Sequence, residues 1–322
     1  MTAAWKAATG GVVSGVSLAR GLHMTTQEQS GIAVVDGILT GELRRSVNNS
    51  HDAKGSIHDD ATASKLGFRG GTVAGSIHME LFAPLLREAF GQRWWETGSL
   101  SLYFQNATTD RETVRAFMKQ PAAAGASDTQ VDAWVLRDDG MQVAQGTAAV
   151  GRPTEPAALL GRPLDRFEVG ALRMLSGIEP GRRFEPVTVV CSEETQSQRL
   201  SVTTEPMDWY RGENSPFDGT PVMIAPLVQL LYARSVATLR GGIGQAVGLF
   251  GAIEVRNVNG PAIVGEEYMA TGEVIAVGQS PKTEYMWFET GLDDSAGKRI
   301  AEMRMLLRWM KASSPLYPEL RS

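Results

Sequence analysis

The sequence predicts an α+β protein made of two similar halves, each built from one long buried helix and an antiparallel sheet. Three observations support this fold class. A Phe-x-Gly turn opens an apolar, helix-like segment twice, at residues 68–73 and again at 217–222. Four strand-like segments follow each of these helices. The two copies are roughly 150 residues apart, a spacing typical of duplicated domains rather than of short repeats.

In the first half, a strand near residues 32–47 is predicted to precede the helix, which extends to about residue 92. The strands predicted after it alternate apolar and polar residues, as half-buried strands do. They are residues 99–106, 113–119, 129–136 and 141–151. The last two are joined by an Asp-rich turn ending at Gly140, which supplies the positive φ angle that hairpins require.

The second half repeats this order. A strand near residues 184–194 is predicted before a helix from Met223 to about Thr238. The strands predicted after the helix are residues 249–258, 267–277, 283–289 and 299–310. Each small sheet would leave one edge strand unpaired, and pairing the two edges would cover both. We therefore expect two antiparallel sheets, each wrapped on a long central helix and joined edge to edge.

The chain divides into five predicted segments. Residues 1–29 form a leader, 30–152 the first half, 153–182 a Pro-rich linker over the surface, 183–312 the second half, and 313–322 a tail. The first 23 residues are rich in Ala, Gly and Ser and contain no acidic residue, so they resemble a weak transit peptide. A disordered leader, or a start at Met24, is the simpler interpretation.

Composition excludes several classes of function. The 322 residues are 43% hydrophobic and 21% charged, which is typical of a soluble globular protein. The net charge of −5 argues against nucleic acid as a partner. No apolar run is long enough to span a membrane. The single cysteine, Cys191, allows no intrachain disulfide and is predicted to be a packed strand thiol. These features predict a cytoplasmic protein without a structural zinc site.

Residues 52–86 concentrate the groups that could carry chemistry. Three of the four histidines, His51, His58 and His78, lie in this segment or next to it, and the second half has none. A Gly-rich loop bearing a carboxylate and an imidazole leads into an apolar helix that begins with small residues. Such a helix start can bind a carbonyl oxygen that acquires negative charge during a reaction. This segment is therefore the predicted active site.

The segment resembles the active-site motif of the MaoC-like hydratase/dehydratase family, whose members have the hotdog fold. The matching positions are His58, Asp60 and Ser64 in the loop, Gly67 and Phe68 in the turn, and Thr72, Val73 and Ala74 at the helix entrance. The duplicated architecture resembles the double form of that fold. The family's aspartate, five residues before the histidine, corresponds to Ala53 here, and Asp52 lies one residue earlier. Gly75 and Ser76 replace the family's His-Gly pair, and the second half lacks the loop.

The resemblance implies reversible hydration of a trans-2-enoyl thioester to a 3-hydroxyacyl thioester, with coenzyme A carried as part of the substrate and no other cofactor or metal. His58 and Asp52 would be the acid/base pair. The Ser76 N–H would bind the thioester carbonyl. Asp59 or Asp60 would replace Asp52 if that residue is displaced.

Gly75, Ile77 and His78 are predicted to line the substrate site, and the degenerate second half would shape a pocket for a bulky acyl group. His78 could equally be a buried core histidine, and His58 a loop histidine bonded to the backbone. Two other functions stay open. One is a thioesterase with Glu80 as the base, and the other is a non-catalytic acyl-binding or heteromer subunit. A homodimer is a further possibility that the sequence leaves open.

Overall fold

The protein is described by a computed structural model over residues 31–123, 125, 127–164, 170–203, 205, 207–232, 247–311 and 314. In this part of the chain the strands pair antiparallel and form a single twelve-stranded sheet. The predicted leader and all of the predicted tail except Ser314 lie outside the described residues.

The first half contributes seven strands to the sheet. They are β1 (Ala33–Val35), β2 (Ile38–Thr40), β3 (Arg44–Arg45), β4 (Gly98–Phe104), β5 (Thr113–Lys119), β6 (Thr129–Arg137) and β7 (Gln142–Val150). Their order is β1-β2-β5-β6-β7-β4, with β3 also paired to β5. The single strand predicted at residues 32–47 is three short strands. Asp36 and Gly37, both with positive φ, form the turn that separates β1 from β2.

The second half contributes five strands, and these complete the sheet. They are β8 (Val187–Val190), β9 (Gly248–Asn257), β10 (Glu267–Gln279), β11 (Thr283–Asp293) and β12 (Arg299–Met310), in the order β9-β12-β11-β10-β8. Strand β4 pairs with β9, from Ser99 opposite Arg256 to Tyr103 opposite Ala252. The two half-sheets are therefore joined edge to edge, as the sequence predicted.

Six α-helices and one 3₁₀ helix lie within the described residues. They are α1 (Asp60–Lys65), α2 (Gly75–Glu80), α3 (Ala83–Phe90), α4 (Arg93–Thr97), α5 (Glu193–Leu200), α6 (Ile224–Tyr232) and the 3₁₀ helix Asp208–Arg211. The long first helix predicted from the sequence is divided into α2 and α3. Pro84 has no N–H to donate to the Glu80 carbonyl. The helix is therefore interrupted at Leu81 and Phe82, the residues between α2 and α3. The predicted end of the second helix, beyond residue 232, lies outside the described residues.

Equivalent backbone contacts anchor the two helices that begin each repeat. In each half, the residue three before the helix forms an isolated bridge to a distant loop, and the next residue donates its N–H to that loop. The bridges are Thr72 with Thr109 and Pro221 with Ile263, and the hydrogen bonds are Val73 N to Thr108 O at 2.9 Å and Val222 N to Ala262 O at 2.8 Å. Helix α2 then begins at Gly75 and α6 at Ile224. The duplication inferred from the Phe-x-Gly turns is thus present in the backbone.

The predicted linker, residues 153–182, is packed rather than loosely laid over the surface. Leu159 and Leu175 are buried. The Leu159 N–H donates to Ser101 Oγ on β4 at 3.1 Å, and the N–H groups of Arg173 and Leu175 donate to the two carboxylate oxygens of Glu284, each at 2.9 Å. The linker therefore fastens the two halves to each other across the sheet.

Cys191 is fully buried directly after β8, rather than within a strand. Burial raises the pKa of its thiol to about 11, so the reactive thiolate is disfavoured near neutral pH. Within the described residues, no group of His, Cys, Asp and Glu side chains is arranged to hold a metal ion. No helix in the same part of the chain is long and apolar enough to cross a membrane.

Candidate active site

His58 lies in the loop before α1, and its imidazole is oriented by the backbone. Its Nδ1 is 2.6 Å from the Thr72 carbonyl oxygen. A carbonyl can only accept a hydrogen bond, so Nδ1 carries the proton in the neutral ring, and Nε2 is left with a lone pair. The side chain is partly exposed. The backbone contact therefore leaves Nε2 able to accept a proton from a molecule in the site.

The loop around His58 is held by three polar contacts and one close approach. The buried Asn48 side chain donates to the His58 carbonyl at 2.8 Å, and Thr72 N–H donates to the Ile57 carbonyl at 2.9 Å. The Gly71 N–H donates to Asp60 Oδ1 at 2.7 Å. A Cβ at Gly71 would collide with the His58 carbonyl oxygen. This Gly-Gly segment therefore has to lie directly against the histidine loop.

The predicted pairing of Asp52 with His58 is not formed. The Asp52 side chain is 90% exposed, and its carboxylate lies 3.3 Å from Nε2 of the neighbouring His51. The loop directs Asp52 to solvent because residues 50–54 form tight turns, with Ala53 N–H bonded to Ser50 O and Lys54 N–H to Asp52 O. Asp52 therefore lies beside His51, and among the described residues no hydrogen bond joins it to His58.

The two alternative acids also have other partners. Asp59 is buried, accepts a hydrogen bond from the Thr62 hydroxyl at 2.8 Å, and lies 3.4 Å from Lys54 Nζ. The hydrogen bond from Thr62 and the nearby Lys54 lower the pKa of Asp59. Asp60 accepts the hydrogen bond from the Gly71 N–H described above. Both acids therefore organise the loop, and His58 is the candidate acid/base group that the loop presents.

The start of α2 presents small residues, as predicted. Ser76 and Ile77 are buried and Gly75 is half-buried. A Cβ at Gly75 would come within 2.7 Å of the Phe104 ring, so glycine permits this packing. The Ile77 N–H donates a hydrogen bond to the Ala74 carbonyl at 2.9 Å, so it does not serve as a donor to substrate. The N–H groups of Gly75 and Ser76 belong to the helix's first turn, which has no intrahelical acceptors for them.

His78 is a buried histidine rather than a group lining an open site. Its Nε2 is 2.8 Å from the Thr108 hydroxyl and its Nδ1 is 3.4 Å from the Ser46 hydroxyl. Burial lowers the pKa of His78 to about 4, so the ring is neutral at pH 7. Of the two interpretations open at the level of sequence, the core histidine agrees with this geometry.

Glu80, at the end of α2, is buried between the two halves. Its Oε1 accepts the Ala225 N–H of α6 at 2.6 Å. Burial raises the pKa of Glu80 to about 7, opposed by the N–H groups of Ala225 and Ile224 and by the charge of Arg199. The Glu80 side chain is only 1% exposed and lies against the second central helix.

Gln196 takes the place of His58 in the second half, and no sequence motif marks this correspondence. Pro221 is the repeat equivalent of Thr72, and its carbonyl accepts from Gln196 Nε2 at 3.1 Å, as the Thr72 carbonyl does from His58. Gln196 also donates to Tyr210 O and accepts from Met223 N–H, so its amide is fully used and buried. A side-chain amide does not titrate near neutral pH and cannot act as a general acid or base. The second half therefore lacks an acid/base group at this position.

A groove of about 520 Å³ lies on the sheet of the second half, away from His58. Its lining includes Arg304 and Glu289, which are bonded to each other, and Glu254, which accepts from the Ser101 hydroxyl at 2.8 Å. None of the predicted site residues contributes to this groove. Because it contains none of the predicted site residues and lacks histidine, the groove is not assigned as the active site.

The architecture is similar to that of several solved structures. A MaoC domain protein, assigned as a dehydratase, from Chloroflexus aurantiacus has a TM-score of 0.57 at 13% identity, over 84% of this chain and 95% of that one. The protein RV0216 of Mycobacterium tuberculosis, described as a double hotdog, has a TM-score of 0.52 at 11% identity, over 84% and 94%. This chain has a double hotdog fold.

A further structure, a MaoC-like dehydratase, matches the double hotdog of this chain with a TM-score of 0.52 at 12% identity, over 86% of this chain and 98% of that one. The predicted fold and the predicted likeness to MaoC-like proteins are thus confirmed in three dimensions. The sequence matches no protein-family model and no curated protein. At these identities the likeness establishes the fold, and the chemistry has to be argued from the residues.

Proposed function

We propose that the protein catalyses the reversible hydration of an enoyl thioester of the acyl-CoA type, with His58 as the acid/base group. The observation that carries this proposal is the hydrogen bond from His58 Nδ1 to the Thr72 carbonyl. It fixes the tautomer that leaves Nε2 free. The accepting residue, Thr72, lies three residues before the start of α2. Two of the structures with a similar fold are named dehydratases, and dehydration is the reverse of this reaction.

The chemistry needs one proton carrier and one site for negative charge. His58 Nε2 takes a proton from water as the water oxygen bonds to the β-carbon. The π electrons move toward the thioester carbonyl, whose oxygen becomes an enolate bound by the N–H groups of Gly75 and Ser76. The imidazolium then returns the proton to the α-carbon. Atoms and charge balance with water and the enoyl thioester alone.

Asp52 has no role in this mechanism, because its exposed carboxylate lies beside His51. A single imidazole suffices when water and the returned proton add to the same face of the double bond. Coenzyme A enters as part of the substrate, and the reaction requires neither a metal nor a redox cofactor.

Thioester hydrolysis with Glu80 as the base is the second candidate. The observation in its favour is the pKa of Glu80, about 7, which suits a general base near neutral pH. In that reaction Glu80 would remove a proton from water attacking the thioester carbon, and the coenzyme A thiol would leave. The engagement of Oε1 by Ala225 N–H favours a structural role for this carboxylate over catalysis.

One assay separates these functions. Short, medium and branched enoyl-CoA substrates are followed at the enoyl-thioester absorbance, while a thiol reagent detects free coenzyme A in parallel samples. Loss of the enoyl absorbance without thiol release identifies a hydratase. Thiol release that is lost in Glu80→Gln and kept in His58→Ala identifies the thioesterase. Tight binding of the same thioesters with neither signal identifies a non-catalytic acyl-binding protein and contradicts our proposal.

A further inference from the structure

Glu80 reaches from the first half into the second and binds the start of its central helix. It is the last residue of α2, and its Oε1 accepts the N–H of Ala225, the second residue of α6, at 2.6 Å. The Ile224 N–H also interacts with this carboxylate and lowers the pKa of Glu80. The first N–H groups of a helix point outward without intrahelical acceptors, and they favour an anion. A carboxylate of the chain therefore occupies the anion-binding end of α6.

The duplication relates this contact to the start of α2 in the first half. Ile224 and Ala225 follow the bridge residue Pro221 at the same spacing that separates Gly75 and Ser76 from Thr72. In the proposed reaction, the thioester oxygen binds at Gly75 and Ser76. The Glu80 carboxylate thus lies in the second half at the position that the thioester oxygen would take in the first.

A buried cation acting on Glu80 supplies a second, independent observation. Among the described residues, Arg199 Nη1 is buried and has no hydrogen-bond partner, and the second carboxylate oxygen of Glu80, Oε2, is also buried without one. The charges of Arg199 and Glu80 each act on the pKa of the other. Unpaired buried polar groups are rare in folded proteins. A buried guanidinium with an unused N–H therefore favours an anion at the start of α6.

We propose that the start of α6 is a carboxylate-binding site and that Glu80 is its internal ligand. The site is the second half's counterpart of the proposed thioester site, and Glu80 closes it to substrate. Gln196 replaces the acid/base histidine at the same site. The second half therefore both lacks the imidazole and has its helix start occupied by Glu80. The comparison with Gly75 and Ser76 rests on the proposed function, whereas the carboxylate site itself does not.

Chemical rescue tests this proposal without measuring activity. Shortening the side chain in Glu80→Ala empties the position, and formate is small enough to take the place of the lost carboxylate. We expect the Tm of Glu80→Ala to rise saturably with sodium formate relative to sodium chloride at the same ionic strength, by about 2–4 °C. The wild type should show no such difference, because Glu80 already fills the site.

Met79→Ala is the matched control, since Met79 is the adjacent, fully buried residue of α2 and its loss leaves an apolar space. A formate response in Glu80→Ala no larger than in Met79→Ala would overturn the proposal. If Glu80→Ala folds poorly, the yield of folded protein should rise with formate and not with chloride, and equal yields count against the site.

Glu80→Gln provides a second variant, because its amide oxygen can still accept the Ala225 N–H. It should lose less stability than Glu80→Ala and should not respond to formate. A loss as large as that of Glu80→Ala would contradict the proposed site. Absence of hydratase activity in any of these proteins leaves the rescue result unaffected, so the two proposals fail separately.

Discussion

At the scale of single residues, the candidate site depends on which partner each polar group finds. His58 was predicted from its type and its loop, yet its orientation comes from Thr72, fourteen residues further along the chain. Asp52 has the right chemistry but is turned to solvent beside His51. A motif thus identifies candidate groups, and the path of the loop decides which of them can act together.

Asp52→Asn should leave hydration nearly unchanged, within about twofold in kcat/KM, because an exposed pair such as Asp52–His51 contributes little. The measurement is steady-state kinetics on the best enoyl-CoA substrate. A loss of tenfold or more, with the Tm unchanged, would mean that Asp52 reaches the substrate during turnover and that the single-imidazole mechanism is wrong.

At the scale of secondary-structure elements, local pattern predicted most of the strands because alternation and turn residues are local signals. Strands β5 and β12 have the predicted boundaries, and the others differ by a few residues. The apolar pattern of this segment predicts one continuous helix, although Pro84 marks the break between α2 and α3. The contacts of Gln196 and Glu80 could not be predicted, because they join elements far apart in sequence and depend on how the two repeats pack.

Gln196→Leu should destabilise the protein by roughly 3 kcal/mol, because it leaves two carbonyls and one N–H buried without their partner. Gln198→Leu, on the exposed side of the same helix α5, is the matched control and should change the free energy of unfolding little. Urea unfolding measures both variants. Equal stability of the two would show that Gln196 does not hold the second half's helix start.

At the scale of the whole molecule, two repeats share one sheet and pack their central helices together, but only one carries an imidazole at the helix start. The junction between halves is polar where Glu80 meets α6 and where the linker binds Ser101 and Glu284. Buried ionisable groups, at this junction and elsewhere, make the stability of the fold depend on pH. His78, Glu80 and Glu205 are the clearest cases, with pKa values of about 4, 7 and 7.

His78 should make stability fall as the pH drops. Its pKa in the folded protein is below its ordinary value of 6.5, so the unfolded chain binds the proton more readily. The contribution is complete above pH 6.5 and is lost as the pH falls toward 4. Between pH 7 and 4.5, wild type should lose on the order of 2–3 kcal/mol more than His78→Gln.

Glu80 and Glu205 act with the opposite sign, because their pKa values are raised, but both are present in wild type and in His78→Gln and cancel in the comparison. Urea unfolding at the two pH values gives the difference. Parallel pH dependences of the two proteins would contradict the buried, neutral state assigned to His78.

The most direct test of the account is the rate of enoyl-CoA hydration in wild type, His58→Ala and His51→Ala. The two histidines share one loop, but only His58 is held by the Thr72 carbonyl, and the His51 side chain is 68% exposed. We predict a loss of about 10²–10⁴-fold in kcat for His58→Ala, the range expected for a general acid/base, and a rate close to wild type for His51→Ala. Hydration that persists in folded His58→Ala would contradict the proposed site.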